Sequence, residues 1–305
     1  MFGGKSKNVG VIGLGIIGSR VEENLRRANF HVFVWNRTAR AVPGFLASPQ
    51  EVAEVAEVIQ IFVRDSEALL EVMQDMKPAL TKHHVVCCHS TVSPLAVKQA
   101  SAIAQDMGAG FLDAPFTGSK MAAEKGELVY YIGGSKRELD MATKVLEASS
   151  KKILHLGRVG DASILKIATN LVSGAIAGAL SEALAITKAH GLEPSKLLEA
   201  FENNANCSPL ISMKLPAMMA GIFEPHFSLK NMLKDAHYAQ VLAKDASLST
   251  PVLKASVEVM ERGLDAGRGE LDFSAVFENF TWIRAKKDSV QTTLKVSALE
   301  EDDDT

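Results

Sequence analysis

Apolar runs of strand length alternate with stretches of helical character along the first half of the chain. The predicted strands are NVGVI, HVFVW, VIQIFV, HVVCC and GFLDA, and the predicted helices between them cover 16–28, 49–57, 67–76 and 95–107. Alternation of this kind predicts a parallel sheet covered by helices. Two later runs, LVYYIGG and KKILHLG, flank a predicted helix at 138–148 and extend the sheet. The first domain is therefore expected to cover 1–160.

The hydrophobic pattern changes from Ala162 onwards, where helix formers dominate and strand-like runs end. A first helix is predicted over 162–190, with Gly191 as its C-cap, and it would join the two domains. Further helices are predicted at 195–203, 229–244, 251–266 and 273–280. The second domain is expected to be all helical and to cover 161–290, and 291–305 is expected to be a flexible acidic tail ending in LEEDDDT.

The chain of 305 residues is long enough for two domains, and its 47% hydrophobic content is enough for a sizeable core. A net charge of -3 gives no electrostatic footprint for nucleic acid, so a bound phosphate is expected to belong to a small ligand. The three cysteines have neither metal-site spacing nor an even count, which favours a reducing compartment. With no apolar leader after MFGGKSKN, the sequence predicts a cytoplasmic protein. The apolar stretch 164–187 approaches membrane-spanning length, but its polar residues favour a buried helix and no membrane.

A glycine fingerprint of the form GxGxxG follows the first predicted strand and opens the first helix. Glycine permits the tight turn and the close approach of a pyrophosphate, and the helix N-terminus offers unpaired N–H groups. The alternative is a purely structural glycine-rich turn. The predicted cofactor-binding residues here are Gly13, Leu14, Gly15, Ile16, Ile17 and Gly18.

The second predicted strand ends in Asn36, Arg37 and Thr38, where an NAD-specific fold usually has an acid for the ribose 2′-hydroxyl. No carboxylate is there to repel a 2′-phosphate, and Arg37 can bind that phosphate with help from its two neighbours and Arg40. The pattern therefore favours NADP(H) over NAD(H). The alternative is a turn whose arginine faces solvent.

Polar residues also follow the third and fourth strands, at the edge where ligands of such sheets bind. We predict that Val63 and Arg64 contact the cofactor and that Thr91, in HSTVSP, faces the nicotinamide. For Asp65 and Ser66 the favoured interpretation is helix capping, and capping is also the ordinary role of the hydroxyls in HSTVSP.

Thr117, Gly118 and Ser119 form a turn after the fifth strand that could present N–H groups and hydroxyls to a carboxylate, although alone it would be read as a turn. Lys166 and Asn170 are four residues apart, on one face of the predicted long helix. Beside a nicotinamide they would suit a proton donor and its orienting partner in a carbonyl reduction. The alternatives for Lys166 are a snorkelling side chain and an ion pair. We expect the turn and the lysine at the junction of the domains, where small-ligand clefts form.

Taken together, six ordered pieces resemble the β-hydroxyacid dehydrogenase family. They are VGVIGLGIIG, WNRT, HSTVSP, DAPFTGS, GRVGDASILKIATN and FSLKNMLKD. Within the family, WNRT and the GSK followed by AAEKGEL are most similar to the glyoxylate and succinic semialdehyde reductases. The resemblance implies an α/β fold with an N-terminal Rossmann domain and a second, all-helical domain joined by a long helix.

The same resemblance implies roles for individual residues. Lys166 would be the catalytic acid supported by Asn170, and Thr117, Gly118 and Ser119 would bind the substrate carboxylate. Phe227 and Asp235 would line the substrate side, and Lys234 would lie near the nicotinamide. Homodimers or homotetramers are usual in the family.

The resulting hypothesis is NADPH-dependent reduction of glyoxylate or succinic semialdehyde to the hydroxy acid. Phe116, Thr117 and Arg64 depart from the family's usual residues, which leaves the choice of substrate open. The alternatives are oxidation of a 3-hydroxy acid such as 3-hydroxyisobutyrate, imine reduction, and a non-catalytic nucleotide-binding scaffold. No metal is predicted.

Overall fold

A computed structural model of the protein describes residues 8–280, so the predicted acidic tail lies outside the described residues. The chain divides into two compact units, Met1–Ala168 and Thr169–Thr305. This boundary falls inside one long helix, which begins near the point where the sequence predicts the second domain to start.

The first unit is built on one eight-stranded sheet with the order β2-β1-β3-β4-β5-β7-β6, and β8 pairs with β7. The strands are β1 (Asn8–Ile12), β2 (His31–Trp35), β3 (Val58–Ile61), β4 (Val85–Cys88), β5 (Gly110–Asp113), β6 (Phe116–Thr117), β7 (Leu128–Gly133) and β8 (Ser150–Gly157). The first five strands are parallel, whereas β7 runs antiparallel to β5 and β6. The predicted parallel sheet is therefore confirmed.

Helices cover the sheet because alternate strand residues feed two separate cores. Val9 and Val11 of β1 belong to one core, and Ile59 and Ile61 of β3 belong to the other. A sheet buried on both faces needs strands that are almost continuously apolar, as these are. The helices are α1 (Gly18–Arg27), α2 (Pro49–Val55), α3 (Ser66–Met76), α4 (Pro94–Asp106), α5 (Lys120–Glu124) and α6 (Lys136–Glu147). The short elements β6 and α5 are absent from the sequence prediction.

The second unit is helical, as predicted. Its elements are the continuation of α7 (Asp161–Ala189), then α8 (Pro194–Glu202), α9 (Pro209–Ala220), α10 (Leu229–Asp245), α11 (Pro251–Asp265) and a 3₁₀ helix (Phe273–Phe277). The segment expected to be an α-helix over 273–280 thus begins as a 3₁₀ helix. Gly191 has a φ of 75° and its N–H donates to the carbonyl of Lys188, which confirms it as the cap of α7.

Strand β8 is an edge strand of the sheet within residues 8–280. It pairs along its length with β7 alone, and Lys151 and Lys152 are exposed on it.

Helix α7 is the one helix among residues 8–280 with the length and hydropathy of a membrane-spanning segment. Only 33% of its most apolar window is buried. Core helices of soluble proteins meet the same two criteria, so length and composition do not show whether α7 crosses a membrane.

Candidate active site

At two positions of the segment that joins β1 to α1, the surrounding backbone leaves room only for glycine. Gly13 has a φ of 96°, and a Cβ there would lie 1.9 Å from the carbonyl oxygen of Phe62. A Cβ at Gly18 would lie 2.0 Å from the carbonyl oxygen of Gly13. A Cβ at Gly15, in contrast, would project into open space. Two glycines therefore close the turn, and the third leaves room for a ligand to reach the backbone.

Helix α1 differs from the other short helices of the first unit at its N-terminus. Each of α2 to α6 begins with a serine or aspartate whose side chain accepts a backbone N–H of the first turn. In α1 the N-cap is Ile17, which makes no such bond. The first-turn N–H groups of α1 thus have no side-chain cap, which fits a pyrophosphate of a dinucleotide cofactor.

Asn36 joins the glycine loop to the end of β2. Its Oδ1 accepts the N–H of Leu14 at 2.9 Å, and its Nδ2 donates to the carbonyl of Thr38 at 2.8 Å. Oδ1 therefore links the end of β2 to the glycine loop, whereas Nδ2 fixes the turn that follows β2. Arg37, Thr38 and Arg40 are exposed beside it.

The residues after β3 and β4 hold one another. The N–H of Val63 donates to Oγ of Ser90 at 2.7 Å. Arg64 forms an ion pair with Asp65 at 2.6 Å, and Asp65 caps α3 through the N–H of Ala68. The capping interpretation of Asp65 is confirmed, and Arg64 is an exposed cation at this strand end.

The segment HSTVSP leads from the end of β4 into α4, and its serines are also held by hydrogen bonds. Ser93 caps that helix through the N–H of Ala96 at 3.1 Å, and its own N–H donates to Oγ of Ser66. Capping is therefore confirmed for Ser93. Thr91, which lies between Ser90 and Ser93 in the sequence, is partly buried.

The Thr117–Gly118–Ser119 turn connects β6 to α5. Thr117 is the last residue of β6 and pairs with Val129. Gly118 has a φ of 134°, and Ser119 caps α5 through the N–H of Ala122 at 3.4 Å. The turn is therefore fixed by a strand on one side and a short helix on the other.

Helix α1 also holds α5, a contact that the sequence did not predict. Asn24 is 6% exposed and donates to the carbonyl of Ala123 at 2.7 Å, while Arg20 pairs with Glu124 at 2.9 Å. The glycine loop before α1 and the turn before α5 are thus braced against each other.

Asp113, the last residue of β5, is a buried carboxylate for which the sequence predicts no individual role. Its Oδ2 accepts the N–H groups of Gly160 and Ser163 at 3.0 and 2.9 Å, and its Oδ1 accepts the hydroxyl of Ser163 at 2.7 Å. Burial raises the pKa of Asp113 to about 6, and these bonds oppose a larger rise.

His89 and Cys87 are fully buried and unsuited to proton transfer at neutral pH. The imidazole of His89 stacks on Phe62 with ring centroids 4.6 Å apart, and burial lowers its pKa to about 3. Burial raises the pKa of Cys87 to about 12, which makes it an inert thiol.

In the second unit, Asp235 binds two of the residues predicted for the site. Its Oδ2 accepts from Nδ2 of Asn170 at 2.6 Å, and its Oδ1 pairs with Nζ of Lys234 at 2.7 Å. Asp235 and Asn170 are 1% and 7% exposed, so both are fixed in a buried network. Lys166 lies one helical turn before Asn170 on α7 and is partly buried.

A further buried ion pair lies beside Phe227 in the same unit. Asp272 accepts from Nζ of Lys214 at 2.7 and 2.8 Å and from the N–H of Phe227 at 3.3 Å. A cavity of about 120 Å³ is lined by both charged residues and by His226. Among residues 8–280, no cluster of His, Cys, Asp and Glu could hold a metal ion.

Two family profiles match consecutive parts of the chain. Residues 8–157 match the NAD binding domain of 6-phosphogluconate dehydrogenase. Residues 160–280 match the NAD-binding domain described for NADP-dependent 3-hydroxyisobutyrate dehydrogenase.

Relatives of known activity cover almost the same range. The chain is 31% identical to glyoxylate/succinic semialdehyde reductase 2, chloroplastic, of Arabidopsis thaliana over 89% of this chain and 78% of that protein. It is 30% identical to glyoxylate/succinic semialdehyde reductase 1 of the same organism, over 88% of this chain and 97% of that protein. The chain belongs to the β-hydroxyacid dehydrogenase family.

This β-hydroxyacid dehydrogenase is therefore an oxidoreductase with an NAD(P)-binding Rossmann domain and a small-molecule substrate. Its fold is that of the Mycobacterium tuberculosis 3-hydroxyisobutyrate dehydrogenase solved with L-serine. The TM-score is 0.81 at 24% identity, over 90% of this chain and 98% of that one.

Proposed function

We propose that this β-hydroxyacid dehydrogenase reduces a small aldehyde acid, glyoxylate or succinic semialdehyde, with NADPH, and that Lys166 is the general acid. The observation that carries the proposal is the order of side chains on α7. Lys166 is followed one turn later by Asn170, whose amide is held by the buried carboxylate of Asp235. The names of the two Arabidopsis relatives support the substrate class.

The phosphate groups of the cofactor would be bound by uncapped backbone N–H groups and by exposed arginine side chains. The first turn of α1 would bind the pyrophosphate, with Val63 and Arg64 beside it, and Arg37 and Thr38 would bind the 2′-phosphate. Thr91 and Lys234 would lie toward the nicotinamide. NADPH, when bound, supplies the hydride for the carbonyl carbon.

Lys166 would supply the proton. Nζ of Lys166 would donate a proton to the carbonyl oxygen of the substrate as negative charge develops on that oxygen during the reduction. The aldehyde becomes a hydroxyl, and Lys166 is left neutral until solvent reprotonates it. Asn170 would orient the reacting oxygen, because its own amide is fixed by Asp235.

The substrate carboxylate would be bound by the hydroxyl and backbone N–H groups of Thr117, Gly118 and Ser119. Phe227 would border the substrate. Asp235 is already bonded to Asn170 and Lys234, so its contribution on the substrate side would be to hold these two residues.

A second candidate is oxidation of a 3-hydroxy acid such as 3-hydroxyisobutyrate. It is favoured by the profile that matches 160–280, which is named for that activity. The same residues would act in reverse, with neutral Lys166 accepting the hydroxyl proton.

The test is NADPH oxidation with glyoxylate, succinic semialdehyde and a neutral aldehyde of similar size, and NADP⁺ reduction with 3-hydroxyisobutyrate. Lys166→Ala is expected to lower kcat by about 10²–10⁴-fold, the usual contribution of a positioned proton donor. Lys188→Ala removes a lysine from the same helix and is expected to retain wild-type rates. Equal rates for Lys166→Ala and the wild type would refute the mechanism, and turnover of the hydroxy acid alone would select the second candidate.

Cofactor preference is tested separately with Arg37→Gln and, as a control, the exposed Arg137→Gln. Loss of charge-assisted bonds to a phosphate costs about 1.5–3 kcal/mol, or roughly 10- to 100-fold in kcat/KM with NADPH. Rates with NADH are expected to be unchanged. A wild-type enzyme that prefers NADH would contradict the assignment of Arg37.

A further inference from the structure

The first turn of α7 is fastened to the sheet by a carboxylate from another element. Asp113, at the end of β5, accepts three hydrogen bonds from Gly160 and Ser163. Asp113 and Ser163 are both 0% exposed. Asp113 thus acts as an N-cap for α7 from about fifty positions earlier in the sequence.

The turn before α7 packs so closely against the sheet that the start of the helix has little freedom to move. A Cβ at Gly133, the partner of Asp113 across β5 and β7, would lie 2.3 Å from the carbonyl oxygen of Arg158. The N–H of Arg158 in turn donates to Asp161 at 2.8 Å. The helix therefore starts in close backbone contact with the sheet, and the Asp113 carboxylate fixes its first turn.

Lys166 follows Ser163 by three residues, less than one turn of the same helix. Each residue of an α-helix adds 1.5 Å of rise and about 100° of rotation. A first turn that frays or rotates would therefore displace the Lys166 side chain. Thr117 lies four residues after Asp113, so one short segment would fix both the proposed acid and the proposed carboxylate turn.

We propose that Asp113 is a positioning residue for Lys166, holding the first turn of α7 so that the lysine ammonium meets the carbonyl oxygen. The proposal rests on the proposed function of Lys166. Asp113 transfers no proton itself. It acts by geometry, in a reaction where a displacement of about 1 Å costs on the order of 10²-fold in rate.

Two substitutions separate the shape of the carboxylate from its charge. In Asp113→Asn the amide oxygen can accept both backbone N–H groups, and Nδ2 can donate to the Ser163 hydroxyl, so the cap is preserved. In Asp113→Leu all three bonds are lost at similar volume. We expect kcat to fall about 10²-fold in the leucine variant and to stay within about threefold in the asparagine variant. The dissociation constant for NADPH, followed by its fluorescence, is expected to change less than threefold in both, since α1 is untouched.

The deciding measurement is a double-mutant cycle with Lys166→Ala. If Asp113 acts through Lys166, Asp113→Leu combined with Lys166→Ala has the kcat of Lys166→Ala alone. A general structural role would instead lower kcat of the double variant by a further factor similar to that of the single leucine variant. That multiplicative result, or a leucine variant with wild-type kcat, overturns the proposal.

A third variant covers the case in which Asp113→Leu does not fold. Ser163→Ala removes one of the three bonds, and we expect it to lower kcat several-fold with KM and NADPH affinity retained. Wild-type kcat in Ser163→Ala would then overturn the proposal. An active Lys166→Ala enzyme would be a failure of the proposed function and is recognised by that variant alone.

Discussion

The Lys214–Asp272 pair gives a stability prediction that can be worked from the contacts. The Asp272 side chain is 3% exposed and the Lys214 side chain 5%. Besides Lys214, the carboxylate accepts the N–H groups of His226, Phe227 and Ser274 and the Ser274 hydroxyl. Asp272→Ala would leave a buried ammonium without its partner, which costs about 3–5 kcal/mol.

The neighbouring cavity decides where in this range the value lies. At about 120 Å³ it can admit water to the stranded ammonium and N–H groups, so the backbone donors need not add their full penalties. We therefore expect Asp272→Ala to lower the free energy of unfolding by about 4 kcal/mol. Natural domains have a stability of roughly 5–15 kcal/mol, so this loss is large.

The assay is urea unfolding at neutral pH of Asp272→Ala, Lys214→Met, Asp272→Asn and the double variant with both of the last two changes. Because Lys214→Met with Asp272→Asn leaves no unpaired charge, we expect the double variant to be more stable than the sum of its single effects predicts. Additive effects, or a loss below about 1 kcal/mol in Asp272→Ala, would refute the reasoning.

Other predictions follow from the pKa values and from the glycine loop. Burial opposes the charged form of Asp272, but Lys214 and the hydrogen bonds lower its pKa overall. The contribution of the Asp272 carboxylate to the free energy of unfolding is therefore expected to be lost as pH falls below 3.8. This loss on acidification is expected to be absent in Asp272→Asn. For Asp113, whose pKa is raised from 3.8 to about 6, urea unfolding should show wild-type stability falling by about 2 kcal/mol from pH 4 to 7 relative to Asp113→Asn, and parallel profiles would contradict this. Gly13→Ala is expected to destabilise the fold in thermal unfolding, whereas Gly15→Ala should keep its Tm and bind NADPH less tightly; equal Tm values would count against the strained turn at Gly13.

The parts of the fold that follow from local pattern could be predicted from the sequence. Strands such as Val85–Cys88 and helices such as Pro251–Asp265 are within one or two residues of their predicted bounds. Helix α9 was missed, because Pro216 lies inside it and apolar residues occur on all its sides. Its start and stop signals, a Ser208 cap and a left-handed Gly221, were nonetheless present.

Contacts between distant positions could not be predicted in the same way. Lys214 and Asp272 are 58 residues apart, and Asp113 and Ser163 are 50 apart, with no local pattern that links them. The pairing of Asn170 with Asp235 spans 65 residues. The spacing from Lys166 indicates Asn170 and the family resemblance indicates Asp235, but neither predicts the bond between them. Motifs thus indicated which side chains matter, whereas the buried partners that hold them depend on the tertiary structure.

The exposed lysines on β8 have a consequence for the chain during its synthesis. All eight strands precede α7 in the chain and leave the ribosome before most of the helical unit, and the outer edge of β8 could then template a strand of a second nascent chain. Lys152 pairs with Val129, whereas Lys151 is the extra residue at a register shift between β7 and β8, and both lysines are exposed at this edge. Two such edges would bring four ammonium groups together. We expect this charge repulsion to oppose edge-to-edge pairing of two chains through β8.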